Sequence, residues 1–309
     1  MRIPRPALRL DITHWAAAFL VAGIVVAGCS AADDAAGGSR GPTPAPDAIH
    51  VVATTSVLAD LVRQVGGTHV AVTSLVPPGG EVHTFDPTPA DIARVADADL
   101  VFTNGLGLDD WVADLARDSG SQAPIVALGE DLDGVGTVNP HLWMDVGNAI
   151  RYVERIGAQL SAVDVAHASE YEAGAASYDE RLTALDESAR VQIGAIPAGR
   201  RKVVSFHDAF PYFAEAYGLE IVGTVIDAPG QDPSAGEIAD LIDAIRASGA
   251  TALFGEAQFN PQLAQTIAEE AGIAVVTDLY TDSLGGPPAD TYEGMIRWDV
   301  ERVVEALQP

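Results

Sequence analysis

The chain has 309 residues and a formal net charge of −27, which results from 17 basic and 44 acidic side chains. This acidity argues against nucleic acid as a partner, because phosphate binding needs clustered lysine and arginine, and against adhesion of the folded body to anionic lipid. Apolar residues make up 48% of the chain, which is enough for hydrophobic cores and argues against intrinsic disorder. At ~150 residues per domain, the length predicts about two domains.

The N-terminus has the pattern of a secretory signal peptide. Three arginines precede an apolar run over 15–28, which is shorter than the ~20 residues that a membrane-spanning helix needs. The run ends in Val-Ala-Gly before Cys29, the only cysteine, and this sequence resembles the lipobox of bacterial lipoproteins, which are cleaved before the cysteine and acylated on it. An ordinary signal peptide with an incidental cysteine is the alternative.

We therefore expect residues 1–28 to be removed and Cys29 to carry a lipid anchor in the cell membrane. Removal of three arginines and one aspartate would change the net charge from −27 to −29. Residues 29–47 consist mainly of Ser, Ala, Gly, Asp and Pro, with almost nothing to pack, and predict a flexible tether.

Short apolar segments alternate with helical segments over 48–163, which we expect to form an N-terminal lobe. Strands are predicted over 50–55, 70–76, 99–104 and 125–128, and a helix over 57–65. Near-continuous apolar strands separated by helices are typical of a parallel sheet that is covered on both faces.

The segment over 164–196 predicts a connecting helix, with Asp164 as its cap and its end near Ile193. Its apolar residues recur at spacings of three and four and form one continuous face: Tyr171, Ala175, Tyr178, Leu182, Leu185, Ala189 and Ile193. About 30 helical residues would span ~45 Å. The alternative is a pair of helices separated near Gly174.

The last part of the chain, 197–309, repeats the plan of the first. Strands are predicted over 202–206, 221–226, 252–255 and 273–277, with helices near 208–217, 234–247, 261–271 and 289–307. Ser234 and Glu237 have the spacing of a capping box. The predicted fold class is therefore α/β, with two similar parallel-sheet lobes joined by a single long rigid helix.

Three of the seven histidines, His83, His141 and His207, lie directly after predicted strands or in a proline-rich turn. Ligands of open α/β sheets bind beyond the carboxyl ends of the strands. Loop histidines from both lobes could therefore converge on one cleft, although no short metal motif links them.

The segments around these histidines resemble the substrate-binding lipoproteins of bacterial zinc and manganese ABC transporters, and the resemblance extends over 49–307. The residues over 77–89, 140–145 and 206–212 are similar to the three histidine loops of that family, and those over 255–259 and 278–285 to its C-terminal signatures. The resemblance implies two α/β lobes joined by one long helix, in agreement with the predicted elements.

The resemblance also implies a set of four metal ligands: His83, His141, His207 and Asp282. Asp282 is favoured over the nearby Asp278, because the family's liganding carboxylate stands just before a small-Leu-Gly turn. Glu256 matches an acidic residue near the family's site, and we expect Glu256 and Asp278 to lie around the ligands, with Glu256 orienting a histidine.

Three imidazoles and one carboxylate suit Zn²⁺, whereas Mn²⁺ prefers oxygen-rich ligand sets. Members of the family that prefer manganese tend to have glutamate where this chain has His207, which favours zinc. Zinc-specific members often carry a long histidine-rich loop before the second ligand, but residues 129–138 are short and acidic here, so manganese stays open as the alternative.

We therefore expect an extracytoplasmic, monomeric protein that captures zinc with high affinity and delivers it to the membrane permease of an ABC transporter. The enzymatic alternative is a zinc hydrolase, with three histidines on the metal and Glu256 or Glu81 as the base. Catalytic zinc needs an open position for water, which Asp282 would occupy. A third alternative is an adhesin or structural lipoprotein that binds no metal.

Overall fold

The structure is a computed structural model that describes residues 43–132 and 139–308. The predicted signal peptide, Cys29 and residues 29–42 of the predicted tether lie outside the described residues. Among those described, no helix combines the length and hydropathy needed to cross a membrane.

The first half forms a four-stranded parallel sheet in the order β2-β1-β3-β4. Its strands are β1 (Ile49–Ala53), β2 (Val70–Ser74), β3 (Leu100–Thr103) and β4 (Ile125–Ala127). Helices α1 (Ser56–Gly66), α2 (Pro89–Ala96) and α3 (Trp111–Ser119) connect them. All four predicted strands and the helix α1 are confirmed, with ends that differ by one or two residues.

Two helices carry the chain from the first sheet to the second: α4 (Val146–Val163), which was not predicted, and α5 (Ala168–Gly194). The 27 residues of α5 form one continuous helix of ~40 Å, so the alternative with a break near Gly174 is wrong. The helix begins later than predicted, because a 3₁₀ turn precedes it. Asp164 stabilises this turn by accepting hydrogen bonds from His167 Nδ1 and Tyr171 Oη.

The second half forms another four-stranded parallel sheet, in the equivalent order β6-β5-β7-β8. Its strands are β5 (Lys202–His207), β6 (Glu220–Ile226), β7 (Ala252–Glu256) and β8 (Ala274–Leu279). The remaining helices are α6 (Pro211–Tyr217), α7 (Ala235–Ser248), α8 (Gln262–Ala271) and α9 (Tyr292–Leu307). The predicted capping box is confirmed, since Ser234 and Glu237 exchange side-chain and backbone hydrogen bonds at the start of α7.

Gly174 of α5 lies directly against the backbone of α1. A Cβ atom built on Gly174 would lie 2.2 Å from the carbonyl oxygen of Val65. Only a residue without a side chain allows this contact, because real Cβ atoms do not approach other atoms so closely. The glycine therefore serves helix packing and does not end the helix.

One hydrophobic cluster runs through both halves of the molecule and contains the predicted apolar face of α5, which is buried except at the partly buried Ala175. Helix α9 packs against both α5 and α1, although it follows the last strand of the second sheet. The backbone amide of Tyr292 also donates to Asp60 Oδ2 at 2.8 Å. The two halves therefore contact each other directly, in addition to being joined by α5.

Candidate metal centre

The four predicted ligands lie at the carboxyl edges of the two sheets. His83 lies in the loop after β2, and His141 lies in the segment between β4 and α4. His207 is the last residue of β5, and Asp282 follows the end of β8. Both sheets point the carboxyl ends of their strands at this site, as the parallel α/β pattern predicts.

The structure brings these four side chains together, with one ligand-type atom from each lying within 4.8 Å of all the others. His141 Nε2 is 3.2 Å from both His83 Nε2 and His207 Nε2. Asp282 Oδ1 is 3.1 Å from His141 Nε2, and its Oδ2 is 3.6 Å and 3.5 Å from the Nε2 atoms of His83 and His207.

Four of these separations, which join the three Nε2 atoms and Asp282 Oδ2, have the length of tetrahedron edges around a zinc ion. Zinc binds imidazole nitrogen and carboxylate oxygen at about 2.0–2.2 Å, and tetrahedral ligands at that distance stand about 3.3–3.6 Å apart. These four distances of 3.2–3.6 Å lie close to this range. The side chains need little movement to enclose an ion.

Three of the four side chains are buried, and His83 is the exception. His141, His207 and Asp282 are at most 2% exposed, whereas the His83 side chain is 16% exposed. His83 and one edge of His141 line a cleft of about 560 Å³, together with residues of both halves that include Tyr212. An ion would therefore reach the site past His83.

In two of the histidines, the ring nitrogen that points away from the site, Nδ1, contacts an oxygen acceptor. His207 Nδ1 lies 2.7 Å from Glu256 Oε1, and His141 Nδ1 lies 3.0 Å from Asn139 Oδ1. An oxygen that accepts from Nδ1–H orients the ring and makes Nε2 the nitrogen that faces the site. Glu256 thus lies beside His207, one of the predicted ligands.

Asn139 was not predicted, although its place two residues before His141 in the sequence Asn-Pro-His was a usable signal. Its amide also donates to the carbonyl oxygen of Asp208 at 2.7 Å and to that residue's carboxylate at 3.0 Å. Asn139 therefore connects His141 to the residue that follows His207, across the two halves.

The charges of the site depend on one another. Burial opposes ionisation of Asp282, but His207 and His141 outweigh it and hold the pKa of that carboxyl well below its usual range. Burial also opposes a charge on His207, but Asp282 and Glu256 outweigh it and raise the pKa of His207 to about 9. Burial lowers the pKa of His141 despite Asp282. The raised pKa of His207 therefore favours its protonated form at neutral pH when no metal is bound.

The carboxylate of Asp282 has no well-aligned hydrogen bond from the described residues, although both oxygens lie within 3.6 Å of imidazole nitrogens. A buried carboxylate in this state is destabilising unless a cation neutralises it. A divalent ion between the imidazoles would supply both the charge and the missing bonds.

Asp278 lies away from this cluster. Its side chain is 48% exposed, and its Oδ2 lies 3.4 Å from Arg302 Nε. The contacts of the described residues therefore place Asp278 in a surface ion pair and give no support to its predicted position around the ligands.

The sequence over residues 51–306 matches the family described as zinc-uptake complex component A, periplasmic (ZnuA). The chain belongs to this family. Manganese-binding lipoprotein MntA of Halalkalibacterium halodurans is 31% identical to it over 93% of this chain and 96% of that protein. Manganese ABC transporter substrate-binding lipoprotein PsaA of Streptococcus pneumoniae is 30% identical over 84% of this chain and 89% of that protein.

Solved structures of similar fold are also metal-binding proteins of the periplasm. A periplasmic metal-binding protein from Candidatus Liberibacter asiaticus superposes with a TM-score of 0.77 at 26% identity, over 84% of this chain and 99% of that chain. The periplasmic zinc-binding protein TroA of Treponema pallidum gives 0.76 at 25% identity, over 85% and 100% of the two chains.

Membership of the ZnuA family gives the general function. The chain is a substrate-binding protein of a metal ABC transporter and not an enzyme, because its relatives and its fold are those of such binding proteins. The resemblance inferred from the histidine loops and the predicted two-lobed fold are confirmed, and the hydrolase alternative is wrong.

Proposed function

We propose that this protein captures Zn²⁺ with His83, His141, His207 and Asp282 and delivers it to the permease of its ABC transporter. The observation that carries the proposal is the convergence of three Nε2 atoms and one carboxylate at separations of 3.1–3.6 Å. These separations suit a tetrahedral zinc site, and the outward bonds of His141 and His207 support the inward orientation of their Nε2 atoms.

The donor atoms favour zinc over manganese. Three imidazole nitrogens form a borderline-soft ligand set, whereas Mn²⁺ is favoured by carboxylate, carbonyl and water oxygens. The family is described by zinc uptake and TroA is described as a zinc-binding protein, which supports this choice. Manganese stays the second candidate, because MntA and PsaA are named for manganese.

The route of the ion follows from the exposure of the ligands. His83 and His141 line the cleft, and His207 and Asp282 lie behind them, so the ion meets the first two ligands before it is enclosed. Release to the permease reverses this order and requires the loops that carry the ligands to separate.

The protein works outside the cytoplasm, on a lipid anchor at Cys29. Support comes from the residues before Cys29, which have the lipobox pattern, and from relatives that are named lipoproteins. The folded body begins close to residue 45, whose backbone amide donates to Thr68 O. We propose the residues between Cys29 and this point as the tether between the anchor and the metal-binding lobes, which is shorter than the predicted tether over 29–47.

Competition between the two metals tests the proposal. Metal-free protein is equilibrated with equal, excess concentrations of Zn²⁺ and Mn²⁺ and desalted, and its metal content is measured by mass spectrometry. We expect one zinc per chain and little manganese. Retention of manganese would establish the second candidate, and retention of neither metal would refute the ligand set.

The variant His207→Glu tests the reason for the selectivity. It replaces an imidazole with a harder carboxylate, and we expect the ratio of manganese to zinc retained in the same competition to rise. An unchanged ratio would mean that His207 does not determine the selectivity.

A further inference from the structure

Two buried hydroxyl groups meet where the loop that carries Asp282 contacts the first half of the molecule. Ser56 Oγ and Ser283 Oγ lie 3.2 Å apart, and neither residue is more than 3% exposed. Ser56 Oγ also accepts from the amide of Leu284 at 2.9 Å, and Ser283 Oγ accepts from the amide of Gly79 at 2.6 Å. We call these two residues the Ser56–Ser283 pair.

The Ser56–Ser283 pair joins segments that carry ligands in different halves of the chain. Ser56 is the first residue of α1, Gly79 belongs to the loop that continues to His83, and Ser283 directly follows Asp282. The pair therefore holds the Asp282 segment against the N-terminus of α1 and against the His83 loop.

The other side of the same segment is held by Trp143. The indole Nε1 of Trp143 donates to the carbonyl oxygen of Thr281 at 2.7 Å, and Trp143 lies two residues after His141. Asp282 thus lies between two anchoring contacts. Its own carboxylate receives no well-aligned hydrogen bond from the described residues, so these backbone anchors determine where it stands.

The segment has space into which it can move when the hydroxyl contacts are broken. A cavity of about 320 Å³ adjoins it on the side of the Ser56–Ser283 pair, and its lining includes Gly79, Gln258, Ser283 and Leu284. Gln258 Nε2, which is buried, has no hydrogen-bond partner among the described residues. The wall of this cavity therefore offers an unused donor to a displaced loop.

We propose that the Ser56–Ser283 pair is a positioning device, which keeps Asp282 against the bound ion and sets the rate at which the ion leaves. This inference rests on the proposed function, because it takes Asp282 as a ligand. Breaking the pair increases the population of states in which the Asp282 segment has moved away, and Ser56→Ala does so without removing the bond between Ser283 and the His83 loop.

The test compares zinc release from Ser283→Ala, Ser56→Ala, the double variant and the control Ser161→Ala. The Ser161 hydroxyl donates to Gly157 O within the α4 region, so its removal also deletes one intramolecular hydrogen bond. Zinc-loaded protein is mixed with excess chromophoric chelator, and the dissociation rate is recorded by stopped flow. The association rate is measured separately with limiting zinc.

Each single variant loses the contact between the two hydroxyls and one acceptor of a backbone amide, and we expect it to release zinc about three- to tenfold faster. The double variant should fall short of the product of the two effects, because both substitutions break the same contact. The rates at which all of the variants bind zinc should equal that of the unmodified protein. The rate at which Ser161→Ala releases zinc should also be unchanged.

Failure of the proposed function and failure of the inference about the Ser56–Ser283 pair give different results. If the unmodified protein binds no zinc, the proposed function fails and the inference fails with it. If the unmodified protein binds zinc but Ser283→Ala releases it at the same rate, only the inference is wrong. A lower melting temperature of metal-free Ser283→Ala with unchanged release would assign the pair a purely structural role and would also overturn the inference.

Discussion

The side chains of His207 and Glu256 are both completely buried, and His207 Nδ1 lies 2.7 Å from Glu256 Oε1. They are the last residues of β5 and β7, which are neighbouring strands of the second sheet. Strand pairing therefore places the carboxylate beside the imidazole. Burial raises the pKa of Glu256 while His207 opposes this shift, so each group depends on the other for its charge.

Glu256 should contribute to zinc affinity without touching the ion. In Glu256→Gln the side-chain oxygen can still accept from His207 Nδ1, but the negative charge that increases the basicity of the ring is lost. We expect zinc binding to weaken about tenfold or more, which is the usual effect of a substitution behind a ligand histidine. Competitive calorimetric titration measures this change.

The matched control for Glu256 is Glu172→Gln, which makes the same chemical change at an exposed position of α5. It should bind zinc as the unmodified protein does. Equal affinities of Glu256→Gln and Glu172→Gln would show that Glu256 does not act on the ligand histidine.

Two aspartates that stand four residues apart should respond differently to the same substitution. Asp282→Asn removes the only carboxylate of the four-residue cluster, and we expect zinc affinity to fall at least about tenfold. Asp278→Asn breaks only a surface ion pair with Arg302 and should leave affinity unchanged. Titration of both variants against the same chelator decides the assignment, and weaker binding by Asp278→Asn alone would reverse it.

Zinc affinity should fall as the pH is lowered. The pKa of His207 is raised to about 9 in the metal-free protein, so this ring is protonated at pH 7 and must release a proton before Nε2 can bind an ion. The pKa of His141 is lowered, so His141 adds no proton near neutral pH. While one proton competes, affinity should fall about tenfold for each pH unit below the pKa of His207.

Calorimetry at pH 7 in two buffers of different ionisation enthalpy measures the proton count directly. We expect about one proton released for each zinc ion bound. A binding enthalpy that is the same in both buffers would mean that no proton is displaced, and would contradict the protonated state of His207.

The extent to which the sequence predicts this molecule differs between its parts. Apolar runs such as those of β3 and β7 predict buried parallel strands, because local hydrophobicity is sufficient evidence for them. The contact of Asp60 with the amide of Tyr292 joins positions 232 residues apart, and no local pattern shows that two such distant segments meet. The sequence therefore predicted a helical connection between the lobes but not their direct packing.

In the candidate site, too, some features can be predicted from local sequence and others depend on contacts between distant segments. Loop positions after strands predicted which histidines could converge, and the resemblance to a family selected Asp282. Asp278 lies in β8 and pairs with Arg302 of α9, a contact between elements that no local pattern shows. Asn139 was missed because asparagine before a proline is common in turns, so the sequence Asn-Pro-His is a weak signal for a bond to His141 Nδ1.

The packing of α5 on α1 gives a prediction that does not involve metal. In Gly174→Ala the new methyl group would lie 2.2 Å from the carbonyl oxygen of Val65, so one helix must shift. Overpacking of this kind costs about 1–3 kcal/mol, and we expect the free energy of unfolding of the metal-free protein to fall by that amount in urea titrations.

The matched control is Gly194→Ala, at the end of the same helix, because a Cβ at this position meets no atom within 4 Å. We expect this variant to change the free energy of unfolding by less than about 0.5 kcal/mol. Equal stabilities of the two variants would show that the helices can separate freely at Gly174.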